Sequence, residues 1–451
     1  MKRQKKATAT AREDAFGIAL VGCGTVGSAV ARLLSRDQAI LRTRSDITLE
    51  LRAVVEVDFS RAESVGLDPS LFRRDYQEVL DDPSIHVVAE LMGGIGGAKQ
   101  VIEKALRAGK AVVTANKALL AEHGAELMAL ARSEGLCIGF EASCGGGIPI
   151  VRAVTDGLIA NRISALYGIL NGTCNFILTA MTQQGRSYVE ALAEARKAGY
   201  AEADPSLDVS GSDTAHKLAI LASLAFGRRI LLEDIPVAGI DGLQVADVEY
   251  GRELGYVMKL LAIAKQREQG ISLCVRPAFI SIDHPLAWVS GPFNAVSVYG
   301  HATGHTLYYG RGAGGRPTAS AVVADMHSVA TGAAERTFRH FNGPDRAPVA
   351  SQLPMEEIRS RYYLRIQCED APGVLASIAA RLGGHEISIS SVLQKEPRAE
   401  SERASGVPVV ITTHTALEGS MRKAIEEINA LKEVRQSCVC IDIADEAPEH
   451  P

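Results

Sequence analysis

The chain has no excess of basic residues: 48 Lys and Arg stand against 53 Asp and Glu, a formal charge of -5. That excludes a bulk positive field able to hold a nucleic-acid backbone or an anionic membrane, and leaves a small soluble ligand as the default. Cysteines are few and scattered, eight in all. Only Cys438 and Cys440 lie close together, a spacing that suits alternate positions of a strand better than a zinc knuckle. No apolar run reaches across a bilayer, because the uncharged stretch 163–184 is broken by Asn171, Thr173, Asn175 and the pair Gln183-Gln184. The basic start, MKRQKKATATARED, is followed by no apolar segment. It predicts a disordered tail over 1–14 and a cytoplasmic protein. With Gly 42 and Pro 17 in 451 residues and 47% apolar residues, the composition is ordinary for a globular protein. At roughly 150 residues per domain the length predicts about three domains.

The first pattern is a strand-like run, Phe16 to Val21, then GCGTVG at Gly22 to Gly27, then AVARLL with helical apolar spacing. Strand, glycine turn and helix build a dinucleotide-binding unit: Gly22 permits the turn, Gly24 lets backbone approach a pyrophosphate, and Gly27 allows close packing of helix on strand. An incidental turn is the competing reading. A second strand at Leu49 to Val57 ends at Asp58, where a carboxylate either meets ribose hydroxyls or is simply solvated. The distance from Gly22 requires a long loop near Ser45. Further strands at 86–91, 111–114 and 136–141 alternate with helices at 98–108 and 119–133, which predicts a mostly parallel, doubly wound α/β domain over 15–149.

From 150 to 316 the alternation gives way to an α+β substrate and dimerisation domain. Its expected pieces are a strand at Ile163 to Ile169, helices at 176–183, 188–198 and 212–226, and strands at 275–280 and 295–299. The helix over 317–340 starts beside Pro317 and is expected to return to the first domain. Residues 341–358, with three prolines, read as a linker. The tail 359–444 then reads β-α-β-β-α-β, a ferredoxin-like motif whose open edges invite pairing with a second copy.

Chemistry concentrates between Gly199 and Leu221. Asp213 and Lys217 stand four apart on one helical face, with Ser212 placed to cap that helix. Lys217 shares its face with Ile220, Leu221 and Leu224. Desolvation lowers a lysine pKa and carboxylates raise it, so a lysine between the two can carry a proton; an ordinary snorkelling lysine is the alternative. Glu202, Asp204, Asp208 and Asp213 lie within one short stretch and could receive an amine-bearing substrate. Alcohol oxidation releases a hydride and a proton. Glu202 suits the amine and Lys217 the oxygen. Lys117, in Thr114-Ala115-Asn116-Lys117 at the end of a strand, falls where open α/β sheets present ligand loops, or is a solvated loop lysine. Cys144 has no identified base, and the strand-like surroundings of His301 and His305 argue against a zinc helix.

These motifs resemble the homoserine dehydrogenases of the bacterial type with a C-terminal ACT domain. The resemblance rests on GCGTVG at 22–27, TANKALL at 114–120, EASCGGGIPI at 141–150, GILNGTCNFIL at 168–178, GYAEADPSLDVSGSDTAHKLAIL at 199–221 and GRGAGGRPTASAV at 310–322. EDAPGVLASIAARLGGHEISISSVLQ at 369–394 looks like an ACT domain. The resemblance implies interconversion of L-homoserine and L-aspartate 4-semialdehyde with NAD or NADP, on the route to threonine, methionine and isoleucine. It makes Lys217 the proton donor and acceptor, puts Glu202, Asp208 and Asp213 at the substrate, and has Asn171, Gly172 and Thr173 close the pocket. Gly22, Gly24, Thr25, Val26, Gly27, Asp58, Lys117 and Gly314 are then expected at the cofactor. A monovalent cation, sodium, is implied at Glu141, Cys144, Gly146 and Ile148. An L-threonine effector is implied at the ACT domain, in a homodimer or homotetramer without nucleic-acid or membrane partners.

NADP-using relatives commonly carry an arginine before the strand-end aspartate, where this chain has Val57. Asp58 repels a 2′-phosphate and Arg61 partly compensates, so the nucleotide preference stays open. Two rival readings remain. A phosphorylating semialdehyde dehydrogenase acting through Cys144 requires that a serine there abolish activity, and a regulatory protein without turnover requires nucleotide binding with no homoserine-dependent reduction.

Overall fold

The computed structural model describes residues 15–395 and 406–444, and the tail expected over 1–14 lies outside them. The chain divides into two compact units. The first runs to Thr155 and takes in Arg311–Ala347; the second comprises Asp156–Gly310 and the chain from Pro348.

The first unit is built on β1 (Ala15–Val21), β2 (Thr48–Val55), β3 (Phe72–Arg73), β4 (Ile85–Glu90), β5 (Ala111–Thr114) and β6 (Ile138–Gly139). They form one parallel sheet in the order β3-β2-β1-β4-β5-β6. Ile18, Leu20, Val87, Val88, Val112 and Val113 are fully buried, as they must be in a sheet covered on both faces. Each such aliphatic side chain contributes roughly 1.5–3 kcal/mol on burial. The strand order reverses at β1, which puts a crevice at the carboxyl ends of β1 and β4, where sheets of this kind bind ligands. In place of the loop expected near Ser45 there is a short helix, Gln38–Arg44, tied to β2 by Gln38 Nε2 donating to Leu49 O at 2.8 Å. The helix Gly315–Ala330 packs on Thr25–Arg36. Residues following it are held by Arg132, whose guanidinium reaches Asp345 Oδ2 at 2.5 Å and Phe341 O at 2.6 Å.

The second unit carries a long sheet of β7 (Ile163–Ile169), β8 (Tyr256–Arg267), β9 (Gly270–Ser281), β10 (Asn294–Gly300), β11 (Gly304–Gly310), β12 (Arg359–Cys368), β13 (Ile389–Gln394), β14 (Val407–Thr413), β15 (Ala416–Leu417) and β16 (Val439–Ile443). The order is β11-β10-β7-β8-β9-β16-β12-β14-β13, with β15 beside β12. Strands β12 to β16 and the helices Val374–Gly384 and Glu418–Asn429 make the expected ferredoxin-like motif, around a core that includes Tyr362, Leu364, Ile366, Ile378, Val409, Ile411 and Ile428. This motif joins the rest of the sheet through a short parallel seam, Asp442 beside Ala278 and Ile443 beside Phe279. Arg276 fastens the seam by reaching Asp442 at 2.5 Å and Glu418 at 3.2 Å. His305 lies on β11, stacked on Tyr299 with ring centroids 4.5 Å apart. Among the described residues no helix is long and apolar enough to cross a membrane.

Candidate active site

The helix Ser212–Phe226 is apolar along most of its length and buries Leu218, Ala219, Leu221 and Ala222 against the sheet. Gly211, in a left-handed conformation with φ 87°, is its N-cap, so Ser212 is the first helical residue rather than the cap expected from sequence. The turn sets Asp213 and Lys217 one above the other on the buried side, 9% and 7% exposed. Lys217 Nζ donates to Asp213 Oδ2 at 2.7 Å and to Leu170 O, just past the end of β7, also at 2.7 Å. A buried ammonium needs such partners to offset lost hydration.

The next element supplies the rest. Asn171 caps the helix Gly172–Gln184 by accepting from Cys174 N at 2.8 Å. Its Nδ2 donates to Asp208 Oδ1 at 2.8 Å and to Asp213 Oδ2 at 3.0 Å. Thr173 Oγ1 donates to Asp208 Oδ2 at 3.2 Å and to Tyr200 O at 2.7 Å. Gly172 has to be glycine, since a Cβ there would sit 2.8 Å from Pro292 O. One cap residue therefore orients two carboxylates and, through Asp213, the lysine. Glu202 is exposed, with no side-chain hydrogen bond among the described residues. Asp204 is exposed and accepts from Ser206 N at 3.0 Å rather than from a residue of this group.

In the first unit, Gly22 has φ 97° and a Cβ there would lie 2.7 Å from Leu91 C. At Gly27 a Cβ would come within 2.1 Å of Gly22 O, whereas at Gly24 it would meet nothing within 4 Å. Two glycines thus close the turn and the third leaves space above it, as a pyrophosphate requires. Gly314, φ 112°, is the N-cap of Gly315–Ala330, and a Cβ on Gly315 would lie 2.8 Å from Thr25 O. Lys117 opens the helix Lys117–Ser133, capped by Asn116.

Sequence reasoning passed over two carboxylates here. Glu90, fully buried at the end of β4, accepts from Met92 N at 3.0 Å, Gly93 N at 3.2 Å and Thr114 Oγ1 at 2.7 Å. It shapes the loops after β4 and β5, and its place at the end of an apolar strand was the available signal. Glu56 directly follows β2 and accepts from Cys23 N at 2.7 Å. Asp58 is exposed and accepts from Ser60 N at 2.9 Å and Ser60 Oγ at 3.0 Å. The Ser60 amide and hydroxyl hold its carboxyl below the usual range.

In the EASCGGGIPI segment, Glu141 is buried and accepts from Val151 N and Arg152 N, both at 2.9 Å. Burial pushes its pKa up to about 7. Arg152 also reaches Asp325 Oδ1 at 2.7 Å. Gly145 and Gly146 have φ of 73° and 54°, and Gly146 packs against Gly312 so closely that a Cβ would fall 2.6 Å from its carbonyl carbon. Cys144 and Ile148 are buried. Among the described residues no group of three or more His, Cys, Asp or Glu is arranged to hold a metal ion.

The chain matches three family models: Homoserine dehydrogenase over residues 149–327, Homoserine dehydrogenase, NAD binding domain over 22–141, and ACT domain over 362–433. It is 43% identical to a homoserine dehydrogenase of Pseudomonas aeruginosa over 430 residues, 94% of this chain and 98% of that protein. The similarity to a solved homoserine dehydrogenase of Thiobacillus denitrificans has a TM-score of 0.89 at 40% identity, covering 96% of this chain and 99% of that one. A hyperthermophilic archaeal homoserine dehydrogenase in complex with NADPH matches at 26% identity with a TM-score of 0.59, over 69% of this chain and 97% of that one.

Proposed function

The chain belongs to the homoserine dehydrogenase family with a C-terminal ACT domain, and from the NAD(P)-dependent interconversion of L-homoserine and L-aspartate 4-semialdehyde we propose which of its residues carry each step. Oxidation of homoserine takes a hydride from C4 and a proton from the hydroxyl. The nicotinamide, when bound, accepts or returns the hydride. Lys217 carries the proton: its neutral amine takes it from the hydroxyl in oxidation, and its ammonium gives it to the aldehyde oxygen in reduction. Asp213 orients the lysine, and together with Asp208 and Glu202 receives the substrate's ammonium. Asn171, Gly172 and Thr173 keep those carboxylates in place through the cap described above. Gly22, Gly24, Thr25, Val26 and Gly27, with Asp58, Lys117 and Gly314, receive the dinucleotide, and the room above Gly24 supports that reading.

One observation carries the assignment, the buried contact of Lys217 with Asp213 and Leu170 O. Lys217→Ala should lower kcat by about 10²–10⁴-fold while the nucleotide Kd, read by fluorescence titration, stays as in the wild type. Wild-type turnover by this variant would refute the role.

Finer assignments complete the proposal. The segment 150–316 is the substrate domain and 359–444 the regulatory one. Glu141, Cys144, Gly146 and Ile148 would hold a sodium ion, largely through backbone carbonyls, since the Glu141 carboxylate is already engaged by two backbone N–H groups. Supported by the ACT match over 362–433, L-threonine is the effector, and added threonine should depress turnover. The edge strands β11 and β13 support assembly into a homodimer or homotetramer.

A further inference from the structure

The carboxyl end of β2 holds two acids and one base, and they are not equivalent. Val55 pairs with Val21, and Gly22 N donates to Val55 O at 3.0 Å. The register therefore puts the next residue, Glu56, beside the glycine turn. Its Oε2 accepts from Cys23 N at 2.7 Å and its Oε1 from Val57 N at 2.9 Å. Both contacts are to backbone, and the carboxylate has no ion-pair partner among the described residues. Asp58 lies two residues further on, exposed and engaged with Ser60. Arg61 approaches the turn by donating to Thr25 Oγ1 at 3.0 Å, from an exposed position.

In doubly wound sheets the carboxylate at the tip of the second strand accepts hydrogen bonds from the adenosine ribose hydroxyls. A 2′-phosphate in that place brings a dianion against a fixed carboxylate, and repulsion at close range outweighs a pairing with one solvated guanidinium, which water and salt weaken. We infer that Glu56, and not Asp58, selects the nucleotide, so that this enzyme prefers NAD, with Arg61 a phosphate ligand that Glu56 keeps silent. The inference rests on the nucleotide-binding role proposed for the glycine turn and deepens it by naming the substrate form and the residue that chooses it.

The test is equilibrium binding of NADH and of NADPH to the full-length protein, followed by nucleotide fluorescence without substrate. The wild type should bind NADH more tightly by on the order of tenfold. Glu56→Gln keeps an acceptor for Cys23 N but removes the charge; it should tighten NADPH by about tenfold and move the NADH-to-NADPH ratio towards or below one. Adding Arg61→Ala to Glu56→Gln should abolish that gain, and Asp58→Asn should shift the ratio less than Glu56→Gln does. Equal or tighter NADPH binding by the wild type, or an unchanged ratio in Glu56→Gln, overturns the inference and leaves the glycine turn as the nucleotide site. Binding of neither nucleotide by the wild type overturns both.

Discussion

Asp213 Oδ2 accepts from Lys217 Nζ at 2.7 Å and from Asn171 Nδ2 at 3.0 Å, so a single carboxylate oxygen joins the helix that carries the lysine to the helix capped by the asparagine. The pair is buried, which strengthens both bonds and makes the loss of either partner costly.

Replacing Asp213 by Asn preserves its size but leaves the Lys217 ammonium buried without its anion. We expect kcat/KM for homoserine to fall about tenfold to a hundredfold, with nucleotide binding intact. Steady-state kinetics beside a nucleotide titration check this, and a loss confined to the nucleotide Kd would contradict the placement.

A second buried pair ties the ferredoxin-like motif to the helix Val245–Glu253 of the same unit. Arg365 on β12 reaches Asp247 at 2.6 and 3.0 Å, and Tyr363 donates to the same residue at 3.0 Å. Asp247 is 1% exposed. Asp247→Leu strands a buried guanidinium and should destabilise the second unit by about 3–5 kcal/mol. Adding Arg365→Met should restore a good part of that, because no unpaired charge remains. Urea unfolding of the two variants decides the matter.

His284 gives the second unit an acid-sensitive point. It accepts from Leu286 N at 3.0 Å and is held neutral, its pKa lowered to about 4 by burial and then by the neighbouring His305. The unfolded chain takes up a proton near 6.5. Between about 6.5 and 4 the unfolded state therefore binds more protons, and the stability that neutral His284 provides is complete above 6.5 and declines as pH falls through that window. His284→Asn retains an acceptor for Leu286 N and should flatten the fall. Thermal melts of both proteins across pH 4–7 measure the difference, and parallel curves would exclude the effect.

Gly27→Ala places a Cβ 2.1 Å from Gly22 O, which forces the helix Thr25–Arg36 away from the turn. Nucleotide Kd should rise at least about tenfold, while the second unit's urea transition is unaffected. Wild-type affinity for NADH would mean that the turn tolerates opening.

Much of this organisation is legible in the residues alone, because local signals and burial agree. The helix 212–226 begins and ends as its spacing predicts, closed by Gly227 at φ 59°, and the β-α-β-β-α-β order of the tail follows its alternation. The first strand of the hairpin of β8 and β9 escaped notice for a physical reason, although part of its partner was expected at 275–280. Residues 258–264 of that first strand, Lys259 included, are buried without interruption, and a run with no exposed positions lacks the alternation that separates strand from buried helix.

Position along the chain settled which residue types were available: glycines where backbone must pass closely, a lysine one turn from an aspartate, an asparagine before a helix. It did not settle which carboxylate meets which donor. Asp58 is the residue that its place at the end of a strand suggests at the nucleotide, yet the β1–β2 register sends Glu56 to Cys23 N and the turn after it sends Asp58 to Ser60. Asp208 and Asp213 converge on Asn171 although 37 and 42 residues separate them from it. Such choices depend on strand register and on the packing of distant elements, since a hydrogen bond forms or fails over a few tenths of an ångström. Only the folded chain brings those atoms within that distance.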